Sequence, residues 1–172
     1  MSTMSETAVT TQVYRIYIKA SAQAVWDAIT DPEWNEKYGY PGRGEYDLRP
    51  GGRYLAAADE QAQAMGMPAE LVDGEVLEVD RPRRLAMTFL ARWDPELEAE
   101  GPVRMTWEIE PSDGGLSRLT VTSANLGRRT AAEFSGGIVF IVSGLKTYLE
   151  TGSTMTPPPD GAAPEGEPAA AG

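Results

Sequence analysis

The sequence contains no cysteine and no histidine. Without cysteine, the chain has no disulfide, no thiolate nucleophile and no cysteine-ligated zinc. Without histidine, it lacks the commonest general base near neutral pH and a frequent metal ligand. Carboxylates, Tyr, Lys, Arg and Ser/Thr remain for chemistry, and their spacing does not match a magnesium or calcium site. The composition therefore predicts neither a metal nor another cofactor.

Positive charge is scarce, with 15 Lys and Arg against 26 Asp and Glu and a formal net charge of −11. This charge repels phosphate backbones and anionic lipids, so we expect no nucleic-acid partner. The longest aliphatic and aromatic run, residues 138–142, is too short to span a bilayer. Residues 1–12 lack the basic start and apolar run of a secretory signal. We therefore expect a cytoplasmic protein without membrane insertion.

The 172 residues, 41% of them hydrophobic, suit one globular domain. The last twenty residues hold five prolines among Ala, Gly and acidic residues, which predicts a disordered tail at 153–172. We expect a flexible N-terminus at 1–11 and a single folded domain at 12–152.

The start of the predicted domain combines one strand with two short helices. Residues 13–19 alternate between apolar and polar side chains, as a half-buried strand requires. Ser21 can cap a first helix. Pro32 can begin a second one, which carries Trp34 and Tyr38.

Between residues 39 and 123 the pattern changes to short strands separated by turns, which predicts an antiparallel meander. The clearest strand is 103–110, where Met105 and Trp107 lie on one side and Arg104 and Glu108 on the other. One face of the sheet should therefore be apolar. The predicted strands are 44–48, 52–58, 74–79, 84–93, 103–110 and 117–123.

A long helix should close the domain. Thr130 and Glu133 match a capping box, and Gly152 can end the helix as a left-handed cap after about Glu150. Five apolar residues share one face of this helix, which can therefore lie across the apolar face of the sheet. They are Phe134, Ile138, Ile141, Leu145 and Tyr148.

Two features of this helix are unexpected. Gly136 and Gly137 should each cost about 1 kcal/mol relative to Ala, so the first turns are predicted to kink or become irregular. Close packing would explain these glycines, and so would a ligand approaching bare backbone. Residues 138–142 are apolar on every side. Contact with a second subunit in a homodimer and burial under long loops both remain open.

The order of strand, two short helices, meander and long helix is a helix-grip arrangement, and four phrases sharpen the match. The sequence resembles the START-like or SRPBCC superfamily, and within it the branch related to the C-terminal domain of the activator of heat-shock-protein-90 ATPase. The resemblance covers residues from about 12 to 152. Its phrases are AVWDAITDP at 24–32, RPGGRY at 49–54, GEVLEVDRPRRL at 74–85 and SGLKTYLE at 143–150.

The resemblance implies an α+β fold with a deep cavity between sheet and long helix, closed at one end by the two short helices. In many relatives this cavity holds a lipid, sterol, polyketide or other apolar molecule, so a small hydrophobic molecule is the expected partner. Core packing would also explain each lining residue taken singly. The residues expected around the cavity are Trp34, Tyr38, Tyr54, Met87, Phe89, Trp107, Phe134, Ile138 and Ile141.

Two other functions are weighed against ligand binding. A polyketide cyclase or dehydratase-like enzyme would need a proton donor or acceptor in the cavity. Co-chaperone activity ranks last, because the eukaryotic activator makes much of its chaperone contact through a separate N-terminal domain, for which this sequence has no room before its first strand. The candidate catalytic residues are Tyr38, Tyr54, Arg53, Arg92, Asp27 and Glu60.

Two connecting segments also invite a functional interpretation. Met65 and Met67 lie in the long segment 59–72, a candidate entrance to the cavity or an ordinary mobile connection. The carboxylates at every second position from Asp94 to Glu100 could hold a hard cation, but a solvated acidic face explains them more simply.

Overall fold

A computed structural model describes residues 9–35, 43–58 and 60–155 of the chain. Its strands are β1 (Thr10–Ile18), β2 (Arg43–Tyr46), β3 (Arg53–Ala57), β4 (Glu70–Asp80), β5 (Arg84–Ala91), β6 (Val103–Pro111) and β7 (Ser117–Leu126). Its α-helices are α1 (Ala22–Thr30), α2 (Pro32–Asn35), α3 (Glu60–Ala64), α4 (Pro95–Glu100) and α5 (Arg128–Thr151). The predicted α+β fold with a long C-terminal helix is confirmed.

The strands form one antiparallel sheet in the order β1-β7-β6-β5-β4-β3-β2. Strands β2 to β7 follow one another as the predicted meander, and β1 adds to the far edge by pairing with β7. The first strand therefore lies beside the last one, and both chain ends of the sheet meet at this edge.

The core lies between the apolar face of the sheet and α5. In β6 the inward side chains of Met105 and Trp107 are at most 2% exposed, as the alternation predicted. From α5, Phe134, Ile138 and Leu145 are buried against the sheet. Full burial of a side chain of this size stabilises the fold by about 1.5–3 kcal/mol. The hydrophobic face of α5 therefore holds it across the sheet.

The predicted capping box at the start of α5 is wrong. The helix begins at Arg128, and Thr130 lies in its first turn. The backbone amides of Arg129 and Thr130 both donate to the Glu100 carboxylate at 2.8 Å, and the Thr130 hydroxyl donates to it as well. A carboxylate from α4 thus satisfies the Thr130 amide that Glu133 was expected to serve, and the Arg129 amide as well.

The close approach of this carboxylate also explains the glycine before the helix. A Cβ at Gly127 would lie 2.5 Å from Glu100 Oε1. A side chain at position 127 would therefore displace the Glu100 carboxylate from the amides that it caps. At the other end of α5, Gly152 adopts φ 79°, which confirms the predicted left-handed cap.

The two helical glycines have no packing explanation. Helix α5 continues without a break from Arg128 to Thr151 through Gly136 and Gly137. The predicted interruption of its first turns is therefore not observed. A Cβ at either glycine would meet nothing within 4 Å outside the neighbouring backbone. In the apolar run that follows, Val139 is 44% exposed and Phe140 47% exposed. The loops of the described residues therefore leave this side of the helix exposed.

The acidic stretch forms α4 and its ion pairs. Asp94 caps α4 by accepting from the amide of Glu96. Its carboxylate also lies 2.7 Å from Arg129, and Glu98 lies 2.7 Å from Arg92. Within 9–35, 43–58 and 60–155, no three Asp or Glu side chains come together as a metal site would require.

Parts of the predicted organisation lie outside the described residues, namely Tyr38, residues 1–8 and residues 156–172. The flexible N-terminus and the disordered tail therefore remain predictions. Strand β1 begins at Thr10, two residues before the predicted domain start. The long segment 59–72 contains α3 and the first residues of β4.

Candidate functional site

A cavity of about 500 Å³ lies between the N-terminal half of α5 and the inner face of the sheet. Strands β4, β5 and β6 form one wall, α5 forms the opposite wall, and α3 with the residues after it borders the third side. The described lining residues are Ala62, Met67, Leu71, Phe89, Trp93, Met105, Trp107, Glu133, Phe134, Gly137, Ile138, Phe140 and Ile141.

The alternation of the strands and the turns of the helix deliver these side chains to one place. Met105 and Trp107 are two residues apart in β6, so both point to the same face of the sheet. Phe134, Ile138 and Ile141 recur at the three- and four-residue spacing of a single helix face. The cavity is therefore a place where the two apolar faces of the fold do not fully meet.

Phe89 holds the aromatic part of the wall together. Its ring meets Phe134 edge-on at 5.4 Å between centroids and Trp93 edge-on at 6.4 Å. Tyr54 stacks with the same ring at 6.2 Å between centroids. Edge-to-face pairs of this kind contribute about 0.5–1.5 kcal/mol beyond their buried area. The aromatic wall is thus fixed by its own ring contacts.

Five of the predicted lining residues come together at the cavity, namely Phe89, Trp107, Phe134, Ile138 and Ile141. Three others do not line it. Tyr54 is fully buried between Tyr46 and Phe89, and Met87 is fully buried in the core. Trp34 packs edge-on against Tyr148, at the opposite end of α5. The ninth, Tyr38, lies outside the described residues.

The position of Trp34 also changes the expected shape of the site. No described residue of α1 or α2 lines the cavity, although these helices were expected to close one end. The short helix α3 and Met67 border it instead. Met67 belongs to the segment that the sequence singled out as a candidate entrance, and it is 43% exposed.

Sequence reasoning missed several lining residues. Met105 lies on the same face of β6 as Trp107 and could have been found from that pattern. Gly137 stood out in the sequence, but close packing was the favoured explanation over a ligand. Glu133 was assigned to a capping box, while Trp93 and Leu71 gave no signal that separates a cavity wall from ordinary core.

The charged groups of the site concentrate at its edge. Of the described lining residues, only Glu133 is ionisable, and its side chain is 41% exposed. Arg129, one turn earlier in α5, lies 3.8 Å from the Glu133 carboxylate. The same guanidinium lies closer to Asp94, at 2.7 Å, and to Glu96, at 3.2 Å. Glu133 is therefore only weakly paired.

The candidate catalytic residues do not gather at the cavity. Arg53 and Arg92 both donate to Asp73, at 3.1 Å each. Burial alone would raise the pKa of Asp73, but the hydrogen bonds from these two arginines hold it below its ordinary value. Asp27 accepts from Gln23 within α1, and Glu60 is exposed at the start of α3. None of these four lines the cavity.

A sheet that grips a long C-terminal helix, with a cavity between them, defines the START-like or SRPBCC class. The family model described as "Activator of Hsp90 ATPase homolog 1-like protein" matches residues 19–150. The chain belongs to this family. Comparison with curated proteins found no match.

Solved structures show the same fold. CalU16 from Micromonospora echinospora is 18% identical with a TM-score of 0.63, over 84% of this chain and 78% of that one. PFC0360w, an HSP90 activator from Plasmodium falciparum, is 15% identical with a TM-score of 0.63, over 81% and 96%. The Aha1 dimer from Colwellia psychrerythraea is 17% identical with a TM-score of 0.61, over 83% and 98%.

Among the described residues, no helix is both long and apolar enough to cross a bilayer.

Proposed function

We propose that the protein binds a small hydrophobic ligand, lipid-, sterol- or polyketide-like, in the cavity between the sheet and α5. The observation that carries this proposal is the cavity itself: about 500 Å³, with Glu133 as the one ionisable residue of its described lining. Small-molecule sites usually have 300–1,000 Å³ and a mostly apolar wall. Transfer of apolar ligand surface from water contributes about 25 cal/mol per Å².

The packing of the rest of the domain supports the same proposal. Protein interiors are packed as densely as organic crystals, and they contain few voids larger than a water molecule. Here Tyr54, Met87 and Leu145 are fully buried in the same core. A large apolar space beside a well-packed core is better explained as a binding site than as incomplete packing.

Catalysis by a polyketide cyclase-like mechanism has weaker support. It requires a group inside the cavity that can donate or accept a proton. Among the described lining residues that group would have to be Glu133, which lies at the exposed edge. A positioned general acid or base normally combines burial with a specific charge partner. Ligand binding without catalysis is therefore better supported than a cyclase-like enzyme.

A co-chaperone role is suggested only by the names of the family model and of PFC0360w. At 15% identity, the similarity to that activator shows a shared fold and supports no shared role. A pull-down with purified heat-shock protein 90 tests this role, and stable capture of the chaperone would favour it over ligand binding.

Native mass spectrometry of the full chain purified from its own host tests the ligand proposal directly. We expect a retained small molecule, and release of that molecule should lower the melting temperature. A ligand present at one hundred times its Kd stabilises the fold by about 2.7 kcal/mol. The same spectrum reports whether the chain is a homodimer, which we propose because the similar Aha1 from Colwellia psychrerythraea is a dimer.

A matched pair of variants locates the bound molecule. Ile141 lines the cavity, whereas Val139, two residues earlier, is exposed and does not. Ile141→Lys should abolish binding of the neutral apolar dye Nile red because it brings a charge to the wall. Val139→Lys should leave the affinity unchanged. Equal affinity for both variants and the parent chain would place the dye elsewhere and contradict the proposed site.

A further inference from the structure

The walls of the cavity and its rim differ in chemistry, and the difference indicates what the ligand carries. We propose that the ligand is a ring-bearing amine: a molecule with an aromatic or polycyclic body in the cavity and a cationic nitrogen at Glu133. This inference rests on the proposed function, because it names the class of ligand for the same cavity.

The walls favour rings over flexible chains. The sequence contains three phenylalanines, and all of them line the cavity, together with two of its four tryptophans. These five residues make up a large part of the described lining, although aromatic residues are only 8% of the sequence. Ring faces and edges pack best against other rings, through offset and edge-on contacts. Two methionines of the lining, Met67 and Met105, add polarisable contacts to aromatic edges.

The rim favours a positive charge. Glu133, Gly137 and Phe140 follow one another on successive turns of α5, and all three line the cavity. Along α5, Glu133 precedes Gly137 by one turn, and the half-exposed Phe140 follows it by about one turn. A Cβ at Gly137 would meet nothing within 4 Å, so the backbone between them is open to a ligand. A cation there can contact both a carboxylate and an aromatic ring.

The surrounding charges leave Glu133 available. Arg129 is shared with Asp94 and Glu96, which both lie closer to it than Glu133 does. Negative charge is therefore in excess at this end of the cavity. No basic residue belongs to the described part of the lining. A buried carboxylate ligand would lack a partner there, which is costly in an apolar environment. The site should therefore discriminate against acids.

Anthracene probes with one variable group test the inference on the full chain. The probes are 9-(aminomethyl)anthracene, 9-anthracenemethanol and 9-anthracenecarboxylate, and fluorescence anisotropy measures their binding. Dodecylamine and dodecanoate serve as open-chain counterparts, and thermal-shift measurements report their binding. We expect the amine to bind about tenfold more tightly than the carboxylate, with the alcohol between them. The anthracene amine should also bind more tightly than dodecylamine.

Because the whole chain is acidic, the charge preference needs a local control. Glu133→Gln removes the carboxylate at the rim, while Glu96→Gln removes one that also faces Arg129 but does not line the cavity. The preference for the amine should disappear in Glu133→Gln and persist in Glu96→Gln. Equal loss in both variants, or tight binding of the anthracene carboxylate, would overturn the inference.

The test separates this inference from the proposed function on which it rests. Tight binding of dodecanoate but of none of the anthracenes would overturn the ring-bearing amine and leave the apolar binding site standing. If no probe binds and none raises the melting temperature, the proposed function fails and the inference fails with it.

Discussion

Substitution of the two adjacent glycines of α5 by alanine separates the stability of the helix from the function of the cavity. Gly136 and Gly137 both lie inside the helix, and a Cβ at either would meet nothing within 4 Å. Alanine is favoured over glycine in a helix interior by about 1 kcal/mol. Each variant should therefore be more stable than the parent chain by about 1 kcal/mol, which corresponds to a rise of about 4 °C in melting temperature.

The two variants should differ once a ligand is present. Gly137 lines the cavity and Gly136 does not. A methyl group at 137 occupies space that a ligand uses, and a misfit of one methylene in an apolar pocket costs about 1–3 kcal/mol. We expect Gly137→Ala to weaken the binding of Nile red or of the anthracene amine by about tenfold, and Gly136→Ala to leave it unchanged.

Thermal unfolding without ligand and dye titration with ligand measure the two effects independently. Lower stability of Gly136→Ala would mean that this position is not regular helix, contrary to the structure. Equal affinities of the two variants would mean that ligands do not approach the backbone at Gly137, and the proposed rim would be refuted.

Three further predictions concern the contacts that hold α5 over the cavity. Glu100→Gln should lower the free energy of unfolding by about 1 kcal/mol in urea titrations, because it weakens the cap on α5. Glu133→Gln should change the same free energy by less than about 0.5 kcal/mol. A larger loss in Glu133→Gln than in Glu100→Gln would favour the capping box. The hydrogen bond from Thr130 holds the pKa of Glu100 below its usual 4.5, so its stabilisation is complete above that value and is lost as the pH falls through the depressed pKa. Glu100→Gln should therefore lose less stability than the parent chain between neutral pH and acid, and an equal loss in urea titrations at both pH values would contradict this assignment. Phe134→Ala should cost about 3 kcal/mol, since it removes the ring contact with Phe89, and a cost below about 1 kcal/mol would show that this wall is not packed as described.

Several parts of the fold followed from local patterns. The alternation in residues 103–110 predicted which side of β6 is buried, because side chains of a strand alternate whatever the strand pairs with. The left-handed cap at Gly152 followed from the preference of glycine for positive φ. The capping of Thr130 did not follow, because its partner Glu100 lies 30 residues away and reaches it only through the packing of α4 beside α5.

The residues of the candidate site also fall into those predicted from local patterns and those placed only by tertiary packing. The sequence alone determined that Trp107, Phe134, Ile138 and Ile141 belong to inward faces, since hydrophobic periodicity selects a face. Phe89 was expected at the cavity from the family resemblance. Whether a face is filled or left open depends on how far the sheet and helix stand apart, and that distance has no signature in any single element. For this reason only the tertiary structure identified three inward or partly inward residues as packing residues, namely Tyr54, Met87 and Trp34. It alone also placed Glu133 and Gly137 at the rim of the cavity.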